Sequence, residues 1–162
     1  MRKRGLYWLC LSLILLLLSG CGNEVEKEGT LTETNSGLNL CLGMTQENYD
    51  EAVAAVDGDV MIPIGDMKLN VTFVDDTLIA IDCEEGGWSC GGDIQVGSPR
   101  ADVSAAFGEP DKEEGNRISY TVTHEDEEEI LIGIGPTLFY DFTFNSNDQV
   151  SRITIYYQNS RV

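Results

Sequence analysis

Tyr140-Asp141-Phe142-Thr143-Phe144-Asn145-Ser146-Asn147-Asp148-Gln149-Val150 is the stretch that decides the fold. Tyr140, Phe142 and Phe144 alternate with Asp141, Thr143 and Asn145, the period of a strand with one buried and one wet face. Asn145 to Asp148 has turn chemistry, and Val150 to Tyr157 returns as a second strand, so the stretch predicts a hairpin. An earlier hairpin has the same design. Apolar and polar residues alternate from Met67 to Phe73, Asp75-Asp76 makes a turn, and Leu78 to Cys83 comes back.

Each hairpin is preceded by a helix with a similar opening. Leu40-Cys41-Leu42-Gly43-Met44-Thr45 and Ile94-Gln95-Val96-Gly97-Ser98-Pro99 are offset by 54 residues, and each reads as a short apolar strand, a glycine and a helix start. Thr45 can cap a helix that carries Tyr49, Val53 and Val56 at helical spacing, closed by Asp57-Gly58-Asp59. Ser98 is the expected N-cap of the second, with Pro99 at its first position, Val103 and Phe107 one turn apart, and Gly108 and Pro110 as the stop. Further strands are expected at Val60 to Ile64 and at Arg117 to Thr123. An insertion follows the latter, with the acidic run Glu125 to Glu129 and a strand candidate at Ile130 to Ile134. The expected fold class is α+β, two repeats of a short helix packed on an antiparallel β-meander, over residues 38–92 and 93–162.

The repeat resembles the small lipoproteins of the BamE (SmpA/OmlA) type. The β-lactamase inhibitor proteins share that general fold as a tandem repeat. Gly97, Val103, Phe107, Gly108 and Pro110, then Tyr120, Phe142, Phe144 and Val150 carry the resemblance, with a fainter echo at Gly43, Val53, Phe73 and Leu78. It implies inhibition of a β-lactamase or another penicillin-binding enzyme, while the absence of a catalytic set and the aromatics at Trp88 and on the last strands point to protein binding at a cell envelope.

The N-terminus reads as an export signal over residues 1–20. Met1-Arg2-Lys3-Arg4 is basic, Leu6 to Leu18 is apolar, and Leu18-Ser19-Gly20-Cys21 resembles a lipobox. A spanning helix needs about 20 apolar residues, and this run is shorter. The resemblance implies cleavage between Gly20 and Cys21 and acylation of Cys21, palmitate-type chains holding the protein on the outer side of a cell membrane. Gly22 gives no inner-membrane retention signal, so a Gram-negative host would allow the outer membrane. Residues 21–37, polar and acidic, read as a flexible linker.

The 162-residue chain has 10 basic and 28 acidic residues, a net charge of −18. Losing Arg2, Lys3 and Arg4 with the signal leaves 7 basic residues and a charge of −21. Such a chain repels nucleic acid. Its acidity serves solubility, or alternatively presents an acidic ligand- or cation-binding surface.

An exported chain can form disulfides. Cys83 and Cys90 are one candidate pair and Cys41 with Cys83 the competing one. Zinc from three cysteines and His124 would lack the short ligand spacing such sites favour. Calcium at Glu125 to Glu129, Asp57-Gly58-Asp59 or Asp75-Asp76 has no matching loop motif. No cofactor is expected beyond the lipid on Cys21. His124, the only histidine, has no nucleophile motif to serve, and the chain reads as a non-enzyme. Trp88, on the glycine-rich loop between Cys83 and Gly92, is either an interface anchor or a cover for the junction of the repeats. Tyr140, Tyr156 and Tyr157 are either core or an aromatic sheet face offered to a protein partner.

Overall fold

The structure is a computed structural model that describes residues 29–54, 69–123 and 137–158. Among the described residues ten strands and two helices follow one another in this order: β1 (Thr30–Glu33), β2 (Asn39–Cys41), α1 (Gln46–Ala54), β3 (Leu69–Val74), β4 (Thr77–Cys83), β5 (Trp88–Cys90), β6 (Ile94–Gln95), α2 (Arg100–Phe107), β7 (Lys112–Glu114), β8 (Arg117–Thr123), β9 (Thr137–Phe144) and β10 (Val150–Tyr157). All strand pairing is antiparallel. Four strands form one sheet in the order β2-β1-β5-β6, and six form another in the order β3-β4-β10-β9-β8-β7.

The hairpins form where the alternation places them. Asp75 (φ 48°) and Asp76 (φ 65°) are both left-handed, the two-residue turn whose twist suits a tight hairpin, and they close β3 on β4. The other turn is held by Asn145, whose Oδ1 accepts from the backbone N–H of Asn147 (2.8 Å) and of Gln149 (3.2 Å). β4 then pairs with β10, Ile81 opposite Ile155 and Cys83 opposite Ile153, and this contact fuses the two hairpins into one sheet.

Two junctions between the small sheet, a helix and a hairpin share one backbone pattern. The Gly43 N–H donates to the Leu78 carbonyl (2.8 Å) and the Leu78 N–H to that of Met44 (2.9 Å). At the other junction the Gly97 N–H donates to Val150 (2.7 Å) and the Val150 N–H to Ser98 (2.8 Å). Gly43 (φ 92°) and Gly97 (φ 99°) hold a backbone conformation that other residues adopt only with strain, which is why glycine ends both openings.

One hydrophobic cluster joins residues of both sheets and both helices. Phe107 of α2 lies against Tyr120, Tyr140 and Phe142 with ring centroids 5.1–5.2 Å apart. Tyr49 of α1 meets Phe73 edge-on at 5.4 Å. The start of the small sheet is tied across this core by the Gly29 N–H, which donates to the Tyr140 hydroxyl at 2.8 Å.

The architecture corrects the expected class. The described residues are mostly β, with two antiparallel sheets and two short helices, and do not form an α+β pair of BamE-like, β-lactamase-inhibitor-like helix-on-meander repeats. Each opening strand lies at an edge of the small sheet, whose centre is β1 and β5, two segments too short to show a period. The linker reading of residues 21–37 fails over Thr30–Glu33: Leu31 is wholly buried, and β1 pairs with both β2 and β5. Ser98 does not cap α2. Pro99 occupies that position without a side-chain bond, and the Ser98 hydroxyl accepts from the Gln95 N–H (3.1 Å). The signal segment with Gly20 and Cys21, Val60 to Ile64, His124, Glu125 to Glu129 and Ile130 to Ile134 lie outside the described residues.

Candidate functional site

The six-stranded sheet has two faces, and strand alternation assigns every residue to one of them. On β9, Leu138, Tyr140, Phe142 and Phe144 go into the core, while Phe139, Asp141 and Thr143 face the other way. On β10, Arg152, Thr154 and Tyr156 share that outer face, because Ile153, Ile155 and Tyr157 are buried in the core. Pairing register aligns these positions in rows across the sheet. Thr121, Phe139, Tyr156 and Ala80 form one row, and Ser119, Asp141, Thr154 and Asp82 form the next.

In the first row Phe139 and Tyr156 stack with centroids 5.1 Å apart and planes 12° from parallel. Both are half-buried, so the pair is part of the surface. In the second row two carboxylates stand on either side of Thr154. Asp82 accepts from the Thr154 hydroxyl at 3.1 Å and pairs with Arg152 Nε at 3.1 Å, and Arg152 also reaches Glu84. Asp141 is only 8 % exposed. Its Oδ2 is 3.5 Å from the Tyr156 hydroxyl and 3.7 Å from Arg117 Nη1, and its Oδ1 is buried with no hydrogen-bond partner among the described residues. Burial, and then the Asp141 charge, raise the pKa of the Tyr156 hydroxyl above its ordinary value, so Tyr156 keeps its proton to donate.

The residues singled out in the sequence divide sharply. Trp88 is 3 % exposed, Tyr140 is wholly buried and Tyr157 is 7 % exposed; all three belong to the core, and none is an interface anchor. Tyr156 alone of the four reaches the outer face. Phe139, Asp141 and Arg117 were not singled out. Their signal was present in the alternation: Asp141 sits between Tyr140 and Phe142, and whatever faces away from two buried rings must face the opposite side of the sheet.

Among the described residues Cys41, Cys83 and Cys90 are free thiols, so neither candidate pair, Cys83 with Cys90 or Cys41 with Cys83, is bridged. Cys83 donates to the Glu85 carbonyl at 3.1 Å, and burial, aided by Asp82 and Glu84, pushes its pKa up to about 12. Burial also raises that of Cys90, so neither thiol is a reactive nucleophile at neutral pH. Among the described residues no group of three or more His, Cys, Asp or Glu side chains is placed to hold a metal ion. Among the same residues no helix is long and apolar enough to cross a membrane.

A buried carboxylate also organises the small sheet. Glu33, 3 % exposed, accepts from the N–H groups of Asn35 (3.0 Å) and Ser36, and from Asn35 Nδ2 at 2.9 Å, which shapes the turn from β1 to β2. Burial opposes its charge, but the Ser36 and Asn35 bonds outweigh that and hold its pKa below the ordinary value of 4.5. Fully partnered, Glu33 is structural.

Compared with known proteins, the chain matches no family model, no curated protein and no solved structure.

Proposed function

We propose that this chain is a non-enzymatic protein-binding module, held at the outer side of a cell membrane by a lipid on Cys21, and that the outer face of the six-stranded sheet does the binding. The observation that carries this reading is the Phe139–Tyr156 stack, a half-exposed aromatic pair on the face opposite the core. Aromatic rings on rigid strands bring large contact area at little entropic cost, and buried anchors of this kind dominate the energy of protein interfaces. The adjoining ion pairs Arg152–Asp82 and Arg117–Asp141 supply a polar rim.

Inhibition of a penicillin-recognising enzyme loses its footing, because it followed from a repeat fold that the sheet topology replaces. The lipid anchor and the envelope location follow from the lipobox alone.

The test is photo-crosslinking in living cells from a benzophenone amino acid at position 139, with Glu109, an exposed residue after α2, as the control position. A discrete protein captured from 139 and not from 109 is the expected result. No capture from 139, or equal capture from both, overturns the reading. Cys21→Ala is expected to shift the chain from the membrane to the soluble fraction.

A further inference from the structure

Asp141 poses a problem that the described residues do not solve. A carboxylate oxygen taken out of water without a donor costs several kcal/mol unless a charge or a hydrogen bond compensates. Arg117 is the cation in reach, yet its Nη1 stands 3.7 Å from Oδ2, beyond hydrogen-bond range, while its Nη2 bonds the exposed Glu114 at 3.1 Å. Arg117 therefore pairs with Asp141 by charge without donating a hydrogen bond to it, and its own side chain is 46 % exposed. One row over stand the stacked rings of Phe139 and Tyr156, each partly exposed and each with one face not covered by the other, and an aromatic face attracts cations.

We propose that the outer sheet face receives an arginine side chain from a basic segment of its protein partner. The incoming guanidinium displaces Arg117 toward Glu114, donates to Asp141 Oδ1 and lies against the Phe139–Tyr156 stack. This rests on the reading of that face as a protein-binding surface and names the chemistry of what binds there. The acidity of the chain, net charge −18, draws basic segments to it. Geometry selects arginine among the basic residues, because a planar fork can donate to a carboxylate and stack flat on a ring at once, which an ammonium cannot. Arg117 acts as a placeholder, shielding the carboxylate until a better-placed cation arrives.

The probe is a fluorescein-labelled peptide with three arginines separated by glycines, titrated by anisotropy with the full-length protein in neutral detergent micelles at about 150 mM salt, which screens distant charges. Asp141→Asn is expected to weaken binding about tenfold, a hot-spot effect. Arg117→Gln is expected to tighten it severalfold, and a lysine version of the peptide to bind more weakly. Glu109→Gln, which removes one charge away from the site, should change the affinity by less than about twofold.

Asp141→Asn preserves shape, and its melting temperature is measured alongside. Should it fail to fold, tightening by Arg117→Gln decides the matter. Equal losses for Asp141→Asn and Glu109→Gln, no binding to the unaltered protein, or weakening by Arg117→Gln would each overturn the proposal. Those outcomes leave the position-139 crosslink standing. A failed crosslink beside intact peptide discrimination would remove the protein-binding reading instead.

Discussion

The two junctions between sheet, helix and hairpin have the same backbone and very different side chains. Gln46 N–H donates to Asp76 as Arg100 N–H donates to Asp148, both at 3.1 Å, and both aspartates are left-handed. At the first junction α1 buries Tyr49 against the ring of Phe73, near the sheet edge. At the second, α2 buries Val103 and Phe107, the latter among three rings. Arg100 adds a clamp there: Nε to Asp148 at 2.7 Å, Nη1 to Glu113 at 3.1 Å, and its guanidinium 4.0 Å from the Phe144 ring centre. Backbone hydrogen bonds set the shared geometry, and side chains decide how firmly each copy is held. Asp141, Phe139 and Tyr156 all stand on strands of the firmer half, where a precise constellation is best supported.

The largest expected effect sets the helices against each other. Phe107→Ala should cost about 3–5 kcal/mol, since it opens a cavity among rings that cannot collapse into it. Tyr49→Ala should cost about 1–2 kcal/mol less, having fewer ring contacts to lose. Denaturant melts of both variants check this. Equal losses would mean that the asymmetry in packing has no energetic weight.

The seam between the halves is next. β1 pairs with β2, which leads to α1, and with β5, whose partner β6 leads to α2. Glu33 sits in it, opposite Trp88. Its folded pKa lies below 4.5, so its contribution is fully present above about pH 4.5 and is lost as pH falls through the folded value. Glu33→Gln should cost about 1.5–3 kcal/mol at pH 7, the worth of hydrogen bonds to a charged group. It should also flatten the acid limb of the stability curve. An unchanged limb would remove Glu33 from the account of acid unfolding.

The Arg100 clamp is smaller. Its partners Asp148 and Glu113 are 64 % and 60 % exposed, so screening discounts both pairs, and Arg100→Ala should cost about 1 kcal/mol, most of it from the ring contact. Gln46→Ala at the matching position should stay within about 0.5 kcal/mol.

Both helices, the hairpins and their turns were legible because each has many residues in one period: Leu69–Val74 alternates, and Val103 with Phe107 marks a helix face. The small sheet was not legible. Its strands are two to four residues long, and Thr30–Glu33 looks like linker because three of its four residues are polar, although Glu33 is buried by bonds that no periodicity shows. Sheet order was equally hidden, since nothing in β4 or β10 alone announces that they pair. Aromatic count misled at the site. Trp88 on a glycine-rich loop looked displayed, yet that loop turns into a central strand of the small sheet, while Phe139 drew no notice beside Tyr140.

The helix starts give the finest comparison. Thr45 Oγ1 accepts from the Asn48 N–H at 3.2 Å, so Thr45→Ala removes a cap and should cost about 1 kcal/mol. Pro99 stands at the position that matches Thr45 and has no side-chain group to cap with, while Ser98 comes one residue earlier, at the position of Met44. The Ser98 hydroxyl turns back to the Gln95 N–H instead, an exposed bond worth about 0.5 kcal/mol. Thermal melts of Thr45→Ala and Ser98→Ala should therefore rank in that order. A larger loss at Ser98 would mean that the second helix depends on a side-chain cap after all, and that its packing contributes less than Phe107 and Val103 imply.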